Sequence, residues 1–444
     1  MALFGTNGVR GIANVEMTTD MAMNLAKSIG TFKNGVVAVG RDTRQSGEML
    51  KNAVIAGLLS TGCKVVDLGI APTPTIQYYV KKYNADAGIV VTASHNPPEY
   101  NGIKGIAGDG TELSREDEAV VEKIYFSGNF KKATWDQTGD LRHYDPKPDY
   151  IEGIISKVDA GMIREKNFKV VVDTGCGAAS VTAPFLLRKL NCKVITLNAQ
   201  VDGTFPGRNP EPTGNEINDL KAAVVAAGAD IGIAHDGDAD RAVFVDNKGN
   251  FINEDVLLAM MTKYKLERKP GTIVTPVSSS SVIEDIAKQY NSKVIWTKVG
   301  SIHVARKMME TDAVFGGEGN GGLIFPEFQY CRDGGMSAAT MLEMLAHTNK
   351  KLSEIVSEVP SYASVKDKIK CKDKDAVMKK ITEEVKGETV DMTDGVKVFK
   401  PEGWVLIRES GTEPIVRVFA ESKTGAGAKK LAEYGVGLVN KFNK

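Results

Sequence analysis

Short apolar runs rich in valine and isoleucine alternate with amphipathic helical segments through residues 1–360. In the first such stretch, the run VVAVG at 36–40 precedes a helical pattern at 48–62, and the runs KVVDLG at 64–69 and AGIVV at 87–91 follow. Strands that are apolar throughout are typical of sheets covered on both faces. Their alternation with helices predicts right-handed crossovers and a mainly parallel sheet.

The same order of elements recurs at 169–241 and again at 271–322. Each copy reads as strand, small-residue loop, helix, strand, helix, strand, and then a loop rich in polar side chains and glycine. The period is about 100 residues, which indicates repeated domains and not a solenoid. The pattern therefore predicts three repeated α/β domains with mixed, mainly parallel sheets.

Polar, proline-bearing or turn-forming segments separate these units at 144–150, near Asn250 and at Val359–Pro360. Beyond them the pattern changes to a lysine-rich stretch at 366–387 that we expect to be helical, several short strands and a last helix. That order predicts a C-terminal α+β domain. The predicted domains are 1–149, 150–250, 251–360 and 361–444.

Composition excludes several classes of protein. The 444 residues contain 56 Lys plus Arg and 56 Asp plus Glu, so there is no overall attraction to nucleic acid or to an anionic membrane. The five cysteines form no C-x-x-C pair, which is typical of free thiols in a reducing compartment. No signal pattern and no apolar run of about 20 residues is present, so we expect a cytoplasmic protein. The sequence does not indicate its oligomeric state.

The segment HDGDADR at 235–241 places Asp236, Asp238 and Asp240 at alternate positions after an apolar strand. Alternate side chains of an extended segment project to one face, so three carboxylates converge. A hard divalent cation would neutralise them, and an all-oxygen ligand set favours Mg²⁺ over Zn²⁺. The alternative interpretation is a solvated acidic turn.

The segment VTASHNPPEYNGIK at 91–104 delivers Ser94 to the end of another apolar strand. Adjacent residues of an extended segment point to opposite sides, so we expect His95 to be badly placed to take the proton of Ser94. A serine that carries a phosphoryl group beside the metal is one interpretation. A hydrolase with a distant histidine and a serine that merely caps a turn are the others.

Three further loops carry candidate binding residues. The glycine-rich loop at 316–322 offers groups for sugar hydroxyls, the loop at 408–418 offers a cradle for phosphate, and the N-terminal turn at 4–11 presents an arginine. Each loop alone is also compatible with an ordinary turn. The residues concerned are Glu318 and Asn320; Arg408, Ser410, Gly411, Thr412 and Arg417; and Arg10. Neither a G-x-x-x-x-G-K-[ST] loop nor a G-x-G-x-x-G strand–helix turn is present, which disfavours a nucleotide-dependent kinase.

With these five loops in this order, the chain resembles the α-D-phosphohexomutase superfamily over essentially its whole length. The matching segments are FGTNGVRG, TASHNP with NGIK, DGDADR, the loop that begins GE, and SGTEP. The resemblance implies four domains around a central cleft, the first three of one α/β topology. It also implies a phosphoryl transfer between the 1 and 6 positions of a hexose phosphate, through a phosphoserine and a hexose 1,6-bisphosphate that serves as intermediate and activator.

The resemblance implies a role for each candidate residue. Ser94 would be the phosphorylated serine and a further Mg²⁺ ligand beside Asp236, Asp238 and Asp240. Arg10, His95 and Arg241 would lie near the moving phosphoryl group, and Lys104 would be a general base, which requires a lowered lysine pKa. Residues of the other two loops would bind the sugar and the non-reacting phosphate: Glu318, Asn320, Arg408, Ser410, Gly411, Thr412 and Arg417.

The substrate is the least constrained expectation. Features of the N-terminal loop and of the segment GEGNGG favour phosphoglucosamine mutase, which converts glucosamine 6-phosphate to glucosamine 1-phosphate. PGRNPEPT at 206–213 resembles phosphomannomutase/phosphoglucomutase relatives, which is the alternative. A phosphosugar phosphatase needs only one phosphate site, and a non-catalytic phosphosugar sensor needs neither Ser94 nor the aspartates, so we rank both lower. The loop GNGG lacks the histidine that bacterial relatives often carry, so the identity of the second acid/base residue is left open.

Overall fold

A computed structural model describes residues 3–5, 7–360, 362–410 and 414–443 of the chain. By its internal contacts the chain divides into two compact units. The divisions fall after Leu257, after Gly319 and after Ser357. The first unit comprises the segments up to Leu257 and from Asn320 to Ser357, and the second unit comprises the remaining segments.

The first sheet is built from the segments before residue 144. In chain order its strands and accompanying helices are β1 (Val9–Ile12), α1 (Thr19–Lys33), β2 (Val36–Arg41), α2 (Gly47–Ser60), β3 (Lys64–Ile70), α3 (Thr73–Lys82), β4 (Ala87–Val91), β5 (Tyr100–Ala107), α4 (Arg115–Ser127) and β6 (Leu141–His143). The sheet order is β1-β5-β4-β2-β3-β6, and β2 runs parallel to both β3 and β4. Ser114 caps α4 by accepting a hydrogen bond from Asp117 N. Every residue of β4 is buried, as an apolar central strand requires.

The second sheet repeats this arrangement on a smaller scale. Its elements are α5 (Lys147–Ile155), α6 (Ala160–Lys166), β7 (Lys169–Asp173), a 3₁₀ turn (Ala178–Val181), α7 (Ala183–Lys189), β8 (Lys193–Leu197), α8 (Asn218–Ala227), β9 (Ile231–His235), β10 (Ala242–Val245) and α9 (Glu254–Arg268). The sheet order is β10-β9-β7-β8, with β7 parallel to both β8 and β9.

The third copy begins with β11 (Thr272–Pro276). The elements after it are α10 (Val282–Gln289), β12 (Lys293–Thr297), α11 (Ser301–Thr311), β13 (Phe315–Glu318), β14 (Gly322–Phe325), β15 (Gln329–Arg332), α12 (Gly334–Thr348) and α13 (Leu352–Ser357). Again a central strand, β11, is parallel to two neighbours, β12 and β13. The predicted repeat of one α/β topology is confirmed, because β2, β7 and β11 hold equivalent places.

The C-terminal segment forms an antiparallel sheet covered by helices, so the α+β prediction is confirmed. Its elements are β16 (Ala363–Lys370), α14 (Lys374–Glu384), β17 (Val390–Asp391), β18 (Val396–Lys400), β19 (Gly403–Glu409), β20 (Ile415–Ser422) and α15 (Gly425–Phe442). The sheet order is β16-β20-β19-β18-β17. One expectation was wrong: the lysine-rich stretch begins as strand β16, and its helix starts only at Lys374. Val365 and Ile369 pack on the core, and the antiparallel pairing of β16 with β20 fixes this segment as a strand.

All five cysteines are buried free thiols, as predicted. In the part of the chain that the structure describes, no helix has the length and apolar character needed to cross a lipid bilayer. The division into four domains at the predicted boundaries stays a prediction.

A buried lysine joins two parts of the second unit. Lys397 on β18 is 4 % exposed, and its Nζ donates a 2.7 Å hydrogen bond to the carbonyl of Val277. Its ammonium lies 3.9 Å from the ring centroid of Trp404 and 5.0 Å from that of Trp296. Burial lowers the pKa of Lys397 to about 8, although the carboxylate of Glu421 opposes that shift.

We expect the stability that Lys397 confers to increase as pH rises from about 8 to about 10. In that interval the unfolded lysine, with its ordinary pKa, still binds a proton that the folded lysine has released, so rising pH favours the folded state. The measurement is chemical denaturation of the wild type and of Lys397→Met across this pH range. As pH rises, the unfolding midpoint of the wild type should increase relative to that of Lys397→Met.

The matched control is Lys430→Met, because Lys430 lies in the same unit with its side chain 77 % exposed. The difference in unfolding midpoint between that variant and the wild type should be the same at every pH. A pH-independent difference between the wild type and Lys397→Met would contradict the lowered pKa.

Candidate active site

Ser94 stands at a sharp turn immediately beyond the buried strand β4. It is fully buried, and its φ of 52° lies in the left-handed region, which is uncommon for a residue other than glycine. Its backbone N–H donates to Thr92 Oγ1 at 2.8 Å, which helps to hold this conformation. Such strained residues are concentrated at functional sites, because the surrounding contacts must compensate for their cost.

The acidic loop follows β9, the equivalent strand of the second sheet. Asp236, Asp238 and Asp240 are all buried, and one oxygen from each lies within 4.8 Å of the others. Ala239 also has a positive φ, 59°, so the loop turns tightly between the last two aspartates. The structure thus confirms the predicted convergence of the three carboxylates.

The serine loop and the acidic loop are in direct contact. Ser94 Oγ donates to Asp236 Oδ2 at 3.1 Å. Gly237 approaches the serine so closely that a Cβ at this position would lie 2.5 Å from the carbonyl oxygen of Ser94. Two segments that are 142 residues apart in sequence therefore form one site.

Buried cations surround the carboxylates. Lys104 Nζ lies 2.7 Å from Asp238 Oδ2 and 3.4 Å from Asp240 Oδ2. Arg332 Nη2 donates to Asp240 Oδ2 at 2.6 Å, and Arg241 Nε lies 3.7 Å from Asp240 Oδ1. Thr73 Oγ1 also donates to Asp238 Oδ2, at 2.6 Å. Neither Arg332 nor Thr73 was predicted from the sequence. No local motif marks either residue, because α3 and β15 reach the site only through the tertiary fold.

The pKa values of two of the carboxylates are shifted in opposite directions. Burial raises the pKa of Asp236 well above its usual range, and the charges of Asp240 and Asp238 raise it further. Burial also favours the neutral form of Asp238, but Lys104, the hydrogen bond of Thr73 and the charge of Arg10 together outweigh burial and hold its pKa below the usual range. The repulsion among carboxylates thus falls on Asp236, the residue that contacts Ser94.

The pKa of Lys104 is raised, which is the opposite of the predicted shift. Burial lowers the pKa of this ammonium, but Asp238 and Asp240 lie close enough to reverse the effect. Lys104 therefore retains its proton here and neutralises carboxylate charge.

His95 is also placed differently from the prediction. Its Nδ1 lies 3.4 Å from Ser94 Oγ, because the left-handed turn at Ser94 breaks the extended geometry that would have separated the two side chains. The pKa of His95 is held far below its usual range, first by the charge of Arg241 and then by burial and by Arg10. The imidazole is thus neutral and lies among cations, which is a favourable environment for an anion.

Arg10 contributes to the same positive environment. Its Nη1 donates to the carbonyl of Ala93 at 3.0 Å and to Asn96 Oδ1 at 2.7 Å, so it braces both sides of the serine. Burial lowers the pKa of this guanidinium, and the charges of Asp238 and Asp240 oppose that shift.

The acidic loop fits a divalent cation. Asp238 Oδ1 and Asp240 Oδ1 are buried and accept no hydrogen bond from the described part of the chain, so two anionic oxygens are available as ligands. The ligand set is all oxygen, which suits Mg²⁺. Asp236, Asp238 and Asp240 are the residues that would hold it.

The remaining predicted binding residues take part in local networks. Glu318 Oε1 accepts a 3.1 Å hydrogen bond from Gly300 N, and Asn320 Oδ1 accepts one of 3.0 Å from Gly322 N. Arg408 pairs with Asp394 at 2.9 Å and stands opposite Arg417 in the β19–β20 register. Two like charges facing each other across strands favour a bound anion. Gly411 and Thr412 lie outside the described residues, and Ser410 is buried beside them.

Comparisons with known proteins identify the family of this architecture. Four domain profiles of phosphoglucomutase/phosphomannomutase match in order: alpha/beta/alpha domain I at 1–132, domain II at 148–249, domain III at 253–362 and the C-terminal domain at 365–435. A phosphoglucomutase/phosphomannomutase of Thermococcus kodakarensis is 48 % identical over 452 aligned positions, which cover 100 % of this chain and 99 % of the relative. A phosphoglucosamine/phosphogalactosamine mutase of Sulfurisphaera tokodaii is 43 % identical and covers 97 % of each chain.

A solved structure of similar fold comes from Burkholderia thailandensis and is described as a phosphoglucomutase/phosphomannomutase family protein. It matches with a TM-score of 0.88 and 27 % sequence identity, over 100 % of this chain and 98 % of that one.

We expect Gly237→Ala to reduce activity by about 100-fold or more and to lower the free energy of unfolding by about 1–3 kcal/mol, because the backbone must shift to admit the methyl group. The new methyl group would meet the Ser94 carbonyl, and relieving that clash by even 1 Å would misplace the serine relative to Asp236. The measurement is kcat, with the unfolding midpoint determined in parallel.

Gly437→Ala is the control, since a Cβ at that helical glycine would meet nothing within 4 Å. It should retain wild-type activity. Wild-type kcat in Gly237→Ala would show that the contact between the two loops does not constrain the site.

Proposed function

This chain belongs to the phosphoglucomutase/phosphomannomutase family, and we propose that it converts glucosamine 6-phosphate to glucosamine 1-phosphate. It is a phosphohexomutase, an intramolecular phosphotransferase that acts on small hexose phosphates. The observation that supports its mechanism best is the 3.1 Å contact between Ser94 Oγ and Asp236 inside a buried acidic cluster. The S. tokodaii relative supports glucosamine phosphate as the substrate.

Ser94 is proposed to carry the phosphoryl group. In the forward half-reaction the Oγ–P bond of the phosphoserine breaks while a bond forms from phosphorus to the free hydroxyl oxygen of the hexose phosphate. The product is a hexose 1,6-bisphosphate, which turns end for end and returns its other phosphoryl group to Ser94. Each half-reaction breaks one P–O bond and forms another, so no oxidant or nucleotide is required.

The residues around Ser94 stabilise charge on the moving group. The charges of Arg10 and Arg241 both act on His95, next to Ser94, and we propose that both guanidinium groups contact phosphoryl oxygens. Mg²⁺ held by Asp236, Asp238 and Asp240, with the phosphoserine as a further ligand, would supply additional positive charge at these oxygens. The three aspartates keep the cation site in place, and Lys104 balances the carboxylates that remain.

Two residues are candidates for accepting the proton of the sugar hydroxyl. Lys104 remains the proposed base from the resemblance, but it must first lose the proton that Asp238 and Asp240 stabilise. His95 Nδ1 lies 3.4 Å from Ser94 Oγ, close enough to exchange a proton there, although the charge of Arg241, burial and Arg10 hold its pKa far below the usual range and make it a weak base. We therefore propose both residues for the catalytic centre.

A second phosphate site distinguishes a mutase from a phosphatase. We propose that Arg408 and Arg417, with Ser410, Gly411 and Thr412, hold the non-reacting phosphate, while Glu318 and Asn320 bind the sugar. The register that places Arg408 opposite Arg417 on β19 and β20 supports this role, because two neighbouring guanidinium groups can bind the oxygens of one phosphate. A non-catalytic sensor would not need the acidic cluster at Ser94, and that cluster is complete.

Replacing Ser94 with alanine should abolish turnover, by at least about 10³-fold in kcat, even when the enzyme has been pre-incubated with a hexose 1,6-bisphosphate. Intact-mass spectrometry should show one added phosphoryl group on the wild type and none on the variant. Ser156→Ala, at an exposed serine of the same unit, should behave as the wild type in both assays. Full isomerase activity in Ser94→Ala would refute the phosphoserine mechanism.

The substrate assignment is tested by comparing kcat/KM on glucosamine 6-phosphate, mannose 1-phosphate and glucose 1-phosphate. We expect glucosamine 6-phosphate to exceed the other two by about 10-fold or more. The alternative, phosphomannomutase/phosphoglucomutase, is favoured by the name of the T. kodakarensis relative. A preference for mannose or glucose phosphate would establish that alternative and leave the phosphoserine mechanism intact.

A further inference from the structure

We propose that Arg44 and Arg208 are positioning residues, which hold the serine loop and the acidic loop by the same device. In each of the first two repeats, a buried aspartate at the end of the central parallel strand binds an arginine. Arg44 also binds four backbone carbonyl groups of the serine loop, and Arg208 binds the carbonyl of His235, the last residue of β9 before the acidic loop. This inference rests on the proposed function of the two loops, but its test includes readouts that do not depend on turnover.

In the first repeat the device is centred on Arg44, which is fully buried. Its Nε pairs with Asp42, the residue after β2, at 3.1 Å. Its two terminal nitrogens donate to four carbonyl oxygens of the serine loop, at 2.5–2.8 Å: Ser94, Asn96, Pro97 and Tyr100. One side chain therefore fixes the whole turn that contains Ser94.

Asp42 connects this clamp to the unusual conformation of the serine. Its Oδ2 also accepts a 2.6 Å hydrogen bond from Thr92 Oγ1, and the same hydroxyl oxygen accepts the N–H of Ser94. The N–H and the carbonyl of Ser94 are thus both held by the Asp42–Arg44 pair, directly on one side and through Thr92 on the other. This arrangement compensates for the left-handed φ of Ser94.

In the second repeat Arg208 takes the corresponding place. Its Nε pairs with Asp173, the last residue of β7, at 2.8 Å. Its Nη2 donates at 2.6 Å to the carbonyl of His235, the residue before Asp236. Gly175 lies against the guanidinium, where a Cβ would be 2.7 Å from Cζ. The entry of the acidic loop is thereby fixed.

The two arginines come from different places in their repeats. Arg44 lies two residues after its aspartate, whereas Arg208 lies 35 residues after Asp173. In the third repeat the uncharged Thr275 lies near the end of β11, and its hydroxyl donates to the carbonyl of Gly317 at 2.9 Å. The aspartate–arginine pairs therefore lie beside the two loops that would hold the phosphoryl group and the cation.

Arginine suits this role because its planar guanidinium presents five donors and stays protonated when buried. A lysine could keep the ion pair with the aspartate, but its single nitrogen could not also reach the set of carbonyls. Substitution by lysine therefore separates the positioning function from the charge.

The experiment compares Arg44→Lys and Arg208→Lys by Mn²⁺ binding to the dephosphorylated enzyme and by the rate at which a hexose 1,6-bisphosphate phosphorylates Ser94. We expect Arg208→Lys to weaken Mn²⁺ binding by about 10-fold or more, because it displaces the ligand loop. Arg44→Lys should keep Mn²⁺ affinity within about 3-fold. It should slow phosphorylation of Ser94 about 10- to 100-fold at saturating Mn²⁺.

Lys51→Met is the matched control, since it removes a different buried ion pair of the first unit, the 2.8 Å contact with Asp67. It should lower stability without changing either readout for the folded protein. If a lysine variant does not fold, Thr92→Val and Gly175→Ala disturb the same two anchors while keeping both arginines, and they should reproduce the respective effects.

Wild-type Mn²⁺ affinity and wild-type phosphorylation rates in the variants would overturn the proposal, as would equal losses in both readouts for both arginines. Failure of the wild type to accept a phosphoryl group would instead refute the proposed function. That result would leave the effect of Arg208→Lys on Mn²⁺ binding as the measure of its anchoring role.

Discussion

The balance of buried charge around Asp236, Asp238 and Asp240 is the constraint on which the site depends. Three carboxylates this close cannot all remain ionised in a protein interior without nearby cations. Lys104 and Arg332 supply part of that charge by direct contact, and Arg241 adds more at longer range. The fold has to bring these residues together from three different segments of the first unit, so the charge balance is also a constraint on topology.

The repeated α/β topology satisfies this constraint. In each of the first two sheets, a central parallel strand lies beside the strand that ends in a chemically active loop: β2 beside β4, and β7 beside β9. Ligands bind beyond the carboxyl ends of such strands, because the loops there are free to vary while the strands stay rigid. The buried Asp–Arg pairs extend that rigidity from the sheet into the loops themselves. The site therefore combines strained, densely charged loops with arginine side chains that bind backbone carbonyl oxygens.

The expectations that failed share a physical cause. The lysine-rich segment at 366–387 was predicted to be helical, but its first residues pair with β20 as part of strand β16. His95 was expected to point away from Ser94, but a single left-handed residue reoriented it. The pKa of Lys104 was expected to be lowered, yet two carboxylates at short range outweighed burial. In each case a tertiary contact overrode a local rule.

The sequence by itself determined the repeated α/β architecture, the C-terminal α+β domain and the convergence of Asp236, Asp238 and Asp240. These features are encoded locally, because strand periodicity and alternate spacing fix which side chains share a face. Only the tertiary structure decided that Thr73, Arg332, Arg44 and Arg208 belong to the site. Their partners lie up to 165 residues away, and no local pattern records a contact that forms only when separate strands align.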